Sequence, residues 1–170
     1  TKVIGEDLAL YLHERTGIPV ALLRYHDFVP KPYLAFGAKL LRNGVDAEDV
    51  ASATLRSVEA GLDKRFGCFR TIVHTAHGLP EAVRSDFAAL GPAWCESMVS
   101  GSAALLERFA IELPREVEQH DLGEAERILG WKPSVGFTTF LEDLGRRVER
   151  GEPVDTLWAP GSLTGVGALA

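Results

Sequence analysis

The side chains best suited to chemistry lie near the start of the chain and where its apolar runs end. Lys2 stands on the first turn of an expected helix, where an ammonium can hold a sugar hydroxyl and lower a neighbour's pKa by its charge. Taken alone, a lysine in that place is ordinarily a surface residue. Tyr25-His26-Asp27 follows an apolar run and leads into a polar loop. In open α/β sheets, ligands sit outside the carboxyl ends of the strands, so this tripeptide is the second candidate. His74-Thr75-Ala76-His77 has a spacing that can bind zinc, and Cys68 is near in sequence. Two histidines on a strand-to-loop path need not face the same way, and spacing places no acidic third ligand. A hydrogen-bonded loop pair is therefore the expectation, and no metal site. The glycines from Gly161 to Gly167 follow no strand and open no helix, which fails the context a phosphate loop requires. Ser100 and Cys95 lack a partnered base and are weaker nucleophile candidates still.

The elements that would position these groups follow from periodicity. Ile4, Leu8, Tyr11 and Leu12 form one helical stripe over residues 2 to about 15, and Gly17 supplies the stop. Residues 18 to 23 then run apolar without alternation, the pattern of a strand covered on both faces in a parallel sheet. A short helix is expected from Tyr33 to Leu41. Asp46 is placed to cap a helix from Ala47 to Ala60, with Val50, Ala53, Thr54, Leu55 and Val58 inward and Gly61 ending it. Phe69 to Thr75 reads as a second buried strand. Pro80 suits the first turn of a helix over 81–89, punctuated by Gly91-Pro92. Helix is again expected from about 101 to 110, with Ala104, Leu105 and Phe109 as its apolar face. A short edge strand comes next, from Val117 to His120. Asp121 opens a helix to Leu129, stopped by Gly130. The last helix, Phe137 to Arg150, carries Phe137, Phe140, Leu141, Leu144 and Val148 as its stripe.

The bulk numbers exclude several classes. With 170 residues, 46% hydrophobic and 25% charged, the chain is of ordinary globular composition and long enough for one domain or the larger piece of one. A net charge of −6 argues against sequence-independent nucleic-acid binding, which needs clustered cations. The densest basic stretch, Arg146, Arg147 and Arg150, is interleaved with acids and reads as a solvated face. No apolar run approaches the length of a membrane span. Cys68 and Cys95 have no motif spacing and read as reduced, partly buried thiols in a cytoplasmic protein.

Three segments together resemble the extended short-chain dehydrogenase family, the NAD-dependent sugar epimerases and dehydratases. Thr1-Lys2, Gly5-Glu6 and a strand ending Leu23-Arg24 resemble, in that order, the end of the family's Tyr-x-x-x-Lys motif, its Gly-Glu pair and its strand ending in Leu-Arg. Arg42 to Ala51 is similar to its Arg-Asp-x-x-x-Val-x-Asp-x-Ala segment. Asp121, Ala125, Leu129-Gly130-Trp131 and Pro133 match its Asp-x-x-x-Ala and Leu-Gly-Trp-x-Pro ending, the most specific of the three.

The resemblance implies an α/β fold, namely the carboxyl-terminal half of a Rossmann-type doubly wound parallel sheet with a small, mostly helical substrate-binding part. Residues 1–150 would hold this partial NAD(P)-binding domain, without its amino-terminal βαβ half, and residues 151–170 a flexible tail. Lys2 would be catalytic and cofactor-binding, holding the nicotinamide ribose and activating a tyrosine upstream of Thr1. His26 would contact the nicotinamide end of NAD or NADP. Asp27 would touch the substrate, and Arg42 would bind the pyrophosphate of a nucleotide-sugar. His26-Asp27 replaces the family's commoner Phe-Asn. Hydride would pass to or from the nicotinamide as the tyrosine exchanges a proton with a sugar hydroxyl. The glycine-rich loop is absent from these residues, so no catalysis is expected of them alone. A homodimer through the lysine-bearing helix is a further implication. The alternatives are a non-catalytic binding or regulatory relative of the same fold, and a freestanding helical α/β interaction domain.

Overall fold

The computed structural model describes residues 2–159, and the glycines from Gly161 to Gly167 lie outside them. Helix α1 (Lys2–Thr16) ends at Gly17, whose φ of 69° is the left-handed geometry that glycine adopts most easily. Strand β1 (Val20–Tyr25) follows, then a two-residue strand β2 (Lys31–Pro32) and helix α2 (Tyr33–Leu40). Asp46 caps α3 (Ala47–Leu62) as expected, accepting the Glu48 N–H at 2.8 Å. Strand β3 (Cys68–Val73) pairs with β1 in parallel, Val20 beside Cys68 and Tyr25 beside Val73. Five helices follow among the described residues: α4 (Glu81–Ser85), α5 (Phe87–Met98), α6 (Ser102–Arg108), α7 (Gly123–Leu129) and α8 (Phe137–Glu149). A 3-10 turn (Val154–Thr156) and strand β4 (Trp158–Ala159) come last among them.

The class is therefore α/β, helix-rich, with a small parallel sheet. Alternation along β3 buries Phe69, Thr71 and Val73 on the side facing α3 and α7, and leaves Arg70 exposed on the other. On that other side α1 packs through Glu6, whose carboxylate pairs with Arg24 at 2.8 Å and Arg70 at 3.3 Å. The expected apolar stripe of α1 is not buried. Ile4, Leu8, Tyr11 and Leu12 are 70, 66, 58 and 49% exposed, because among the described residues no element covers them.

Two hydrophobic cores result among the described residues. One joins α2, α5, α6 and α8 around Phe36, Phe87, Phe137 and Phe140; the other joins β3, α3 and α7 around Phe69, Ala53, Leu129 and Trp131. In the first, Gly37 lets α2 and α8 touch, since a Cβ there would collide with the Phe140 ring.

Several local expectations are corrected. Within α3, Asp49, Ser57 and Ala60 are buried with Ala53, whereas Leu55 and Val58 are exposed. Gly91-Pro92 lies inside α5 instead of ending a helix. Residues 117–120 are not a strand, although Val117 is buried. Residues 152–159, expected in a loose tail, are packed. β4 pairs antiparallel with β2, the Leu157 carbonyl accepts the Tyr33 N–H at 2.9 Å, and Arg147 bonds Glu152 at 2.7 Å. Both cysteines are free, Cys68 exposed and Cys95 buried. No described helix is long and apolar enough to cross a membrane.

Candidate functional site

Parallel pairing brings the ends of β1 and β3 side by side, and the His26 N–H donates to the Val73 carbonyl at 3.1 Å. His26 and His74, each the first residue beyond its strand, therefore leave the sheet together. The segment before α7 brings His120 against both. Ring centroids are 4.3 Å apart for His26–His74, 4.6 Å for His74–His120 and 4.9 Å for His26–His120, all edge-on. One nitrogen from each ring lies within 4.8 Å of the other two.

Two cavities flank this cluster. A crevice of about 1220 Å³ runs along β1 and includes Lys2, Glu6, Arg24, Tyr25, His26, Asp27 and Asn43 in its lining. A second, of about 580 Å³, is lined by His77, Glu81, Arg84 and His120 among others.

Burial pushes the His26 imidazole down to about 4, and the neighbouring His74 and His120 add to the effect. His74 is also lowered by burial, against the opposing pull of the Thr75 and Arg42 carbonyls. Its Nδ1 lies 2.6 Å from the Thr75 carbonyl and its Nε2 lies 3.3 Å from that of Arg42. A neutral ring can donate to only one of these, and the shorter contact assigns the proton to Nδ1. Nδ1 of His26 and Nε2 of His120 are buried with no hydrogen-bond partner.

The expected site residues are only partly assembled. Lys2 lies exposed at the crevice rim, and His26 and Asp27 line the same crevice. The Asp27 carboxylate is committed to its own loop: it accepts Lys31 Nζ at 2.7 Å and the Val29 N–H at 3.1 Å, with Lys39 at 3.8 Å. Lys31 in particular holds it below the usual carboxylate range. Arg42 is not brought to the crevice. It lies in a tight turn where the Arg42 and Gly44 N–H groups both donate to the Lys39 carbonyl. Its own carbonyl faces His74, while the residue lines a separate cavity of about 360 Å³ with Leu34, Ala38, Phe109 and Ile111.

The His-x-x-His spacing points His74 to the wrong partner. The His77 ring is 6.3 Å from it, and the closer neighbours are 48 and 46 positions away, at 26 and 120. The usable signal was a histidine at or near the end of each expected strand.

No family model matches the chain, and no curated protein or solved structure is similar enough to count as a match.

Proposed function

We propose that the chain is the carboxyl-terminal portion of an NAD(P)-dependent oxidoreductase of the extended short-chain dehydrogenase type, acting as an epimerase or dehydratase on a polyol such as a sugar. The observation that carries the reading is one open crevice that runs along parallel strand β1 and on past its carboxyl end, with Lys2 at its rim and His26 and Asp27 in its lining. Two of the segments that resemble the family are also clamped together through the residues that adjoin them. Asp49 accepts the Ser134 N–H and hydroxyl at 2.8 Å and the Val135 N–H at 3.0 Å, and Trp131 Nε1 donates to Ser52 at 2.9 Å.

In this reading the exposed face of α1 and the free edge of β1 meet the other half of a doubly wound sheet. That half carries the glycine-rich turn and the tyrosine whose pKa Lys2 lowers. The place of Arg42 on another cavity speaks against its holding a substrate pyrophosphate in this crevice, so a nucleotide-sugar is the less favoured substrate.

The test compares this chain with the longest natural polypeptide that contains it, by fluorescence titration with NADH and NADPH. The longer polypeptide is expected to bind one of them with a Kd of about micromolar, and the 170-residue chain at least about 100-fold more weakly. In the longer polypeptide, Lys2→Ala should move the pH–rate profile to higher pH as well as lower the rate. Tight binding by the chain alone, or none by the longer polypeptide, refutes the assignment.

A further inference from the structure

We infer that His26, His74 and His120 form a binding site for one divalent transition-metal ion of the zinc class, with an open coordination position for water or an anion. The inference is independent of the dehydrogenase reading. It rests first on convergence: three rings from three separated parts of the chain present nitrogens within 4.8 Å of one another. Tetrahedral coordination at 2.0–2.1 Å needs its nitrogens about 3.4 Å apart, so side-chain rotations of about 1 Å close the set.

It rests next on unmet hydrogen bonding. With the His74 proton on Nδ1 toward Thr75, its Nε2 lone pair faces the Arg42 carbonyl, which is another acceptor. Nδ1 of His26 and Nε2 of His120 are buried with no hydrogen-bond partner, although Glu118 Oε2 lies 3.8 Å from the latter. Buried polar atoms left unpaired are costly, and a bound cation would satisfy lone pairs from all three rings together.

The donor chemistry then selects the ion. Imidazole nitrogens suit zinc, copper, nickel and iron, whereas magnesium and calcium take oxygen ligands. The Thr75 carbonyl would fix the His74 tautomer from outside the metal shell, a common support for a ligating histidine. Three protein ligands are one fewer than a closed structural zinc site supplies. His26 faces the larger cavity and His120 the smaller, so a fourth ligand can enter from solvent. A water held there would be acidified by the ion, and an anionic or carbonyl oxygen could take its place.

The experiment titrates the whole metal-free chain with Zn2+ against a chromophoric chelator and records the visible spectrum of the Co2+ adduct. Expected are one equivalent bound at a Kd of about micromolar or tighter and Co2+ absorption of a four- or five-coordinate nitrogen site. His26→Ala and His120→Ala should each weaken binding by about 100-fold or more. His13→Ala, at the far end of β1 where the ring contacts the Ile18 carbonyl at 2.7 Å, should leave it unchanged. Circular dichroism checks each variant; should one fail to fold, the native Co2+ spectrum and the other variant decide. Binding weaker than about 100 µM, or indifferent to both substitutions, overturns the site. Loss on His77→Ala with retention in His26→Ala overturns it in favour of the His74–His77 pair.

Discussion

Asp46 couples the stability of the α3 cap to pH in a direction opposite to that of most surface carboxylates. Its side chain is 2% exposed; one oxygen accepts the Glu48 N–H and the other, Oδ2, has no partner. Burial raises its pKa from 3.8 to about 6, with the Asp49 and Glu48 carboxylates adding to the rise and the Glu48 and Asp49 N–H groups opposing it. The folded state therefore holds the Asp46 proton more tightly than the unfolded state. This contribution is fully present below about pH 4, is lost as pH rises through about 6, and stays lost above that. A rise from 3.8 to about 6 corresponds to about 3 kcal/mol. Asp46→Asn keeps a carbonyl oxygen for the cap and removes the titration. Its new amide hydrogens lack an acceptor at a constant cost of about 1–3 kcal/mol, which cancels when one variant is compared with itself at two pH values. Urea unfolding at pH 4 and pH 7.5 measures the effect. The stability of Asp46→Asn relative to wild type should improve by about 2–3 kcal/mol between them, or roughly 5–10 °C in Tm. Parallel pH dependences for the two proteins would show that Asp46 is not held protonated by its burial.

Three further substitutions probe the packing between elements. Asp49→Asn places an amide nitrogen against one of the N–H groups it now receives, and should cost about 2–4 kcal/mol in chemical denaturation with a red shift in Trp131 emission. Unchanged stability would mean that the clamp between α3 and the 131–135 turn does not hold. Gly37→Ala drives a Cβ into the Phe140 ring and should lower stability by about 1–3 kcal/mol or more, read as an earlier thermal midpoint. Arg147→Met takes from Asp143, 6% exposed, the guanidinium that bonds it at 2.6 Å and leaves it Tyr33 at 2.8 Å and Arg146 at 3.5 Å, for about 1–3 kcal/mol. Among the described residues it also leaves Glu152 only its pairing with exposed Arg150 at 2.8 Å, so limited proteolysis should cut within 152–159 faster than in wild type; full protection there would refute the anchoring role.

Helix α8 was legible because its apolar stripe and its buried face coincide at Phe137, Phe140, Leu141 and Leu144. The caps at Gly17, Asp46 and Gly130 were equally legible, since each is a local backbone requirement met by one residue type. The inward face of α3 was not. Small Ala53, Ser57 and Ala60 pack against the sheet side, and Asp49 is buried to receive three hydrogen bonds, so hydrophobicity pointed to the wrong face. Gly91-Pro92 misled for a related reason. Burying Phe87, Gly91 and Cys95 along one face of α5 outweighs the bond that Pro92 cannot donate. For the crevice, the strand-end placement of His26 and Asp27 was readable. The salt bridge that occupies Asp27 depends on how the loop to Lys31 folds back. The histidine cluster was signalled only by a histidine at or near the end of each expected strand, because no local spacing encodes contact among residues 26, 74 and 120.

The first core joins residues that the ribosome makes far apart in time. Tyr33 donates to Asp143 across 110 positions, at 2.8 Å, and Phe36 and Phe140 share one cluster. At about 5–20 residues per second, roughly 5–20 s of synthesis separate Tyr33 from Asp143. The second core draws on residues 45 to 131 and can close earlier. Through that interval the apolar face of α2 has no α8 to cover it. The nascent chain thus carries a hydrophobic segment that invites chaperone binding until the last described helix emerges. Slow codons placed ahead of α8 should lower the soluble yield, whereas the same codons after it should not.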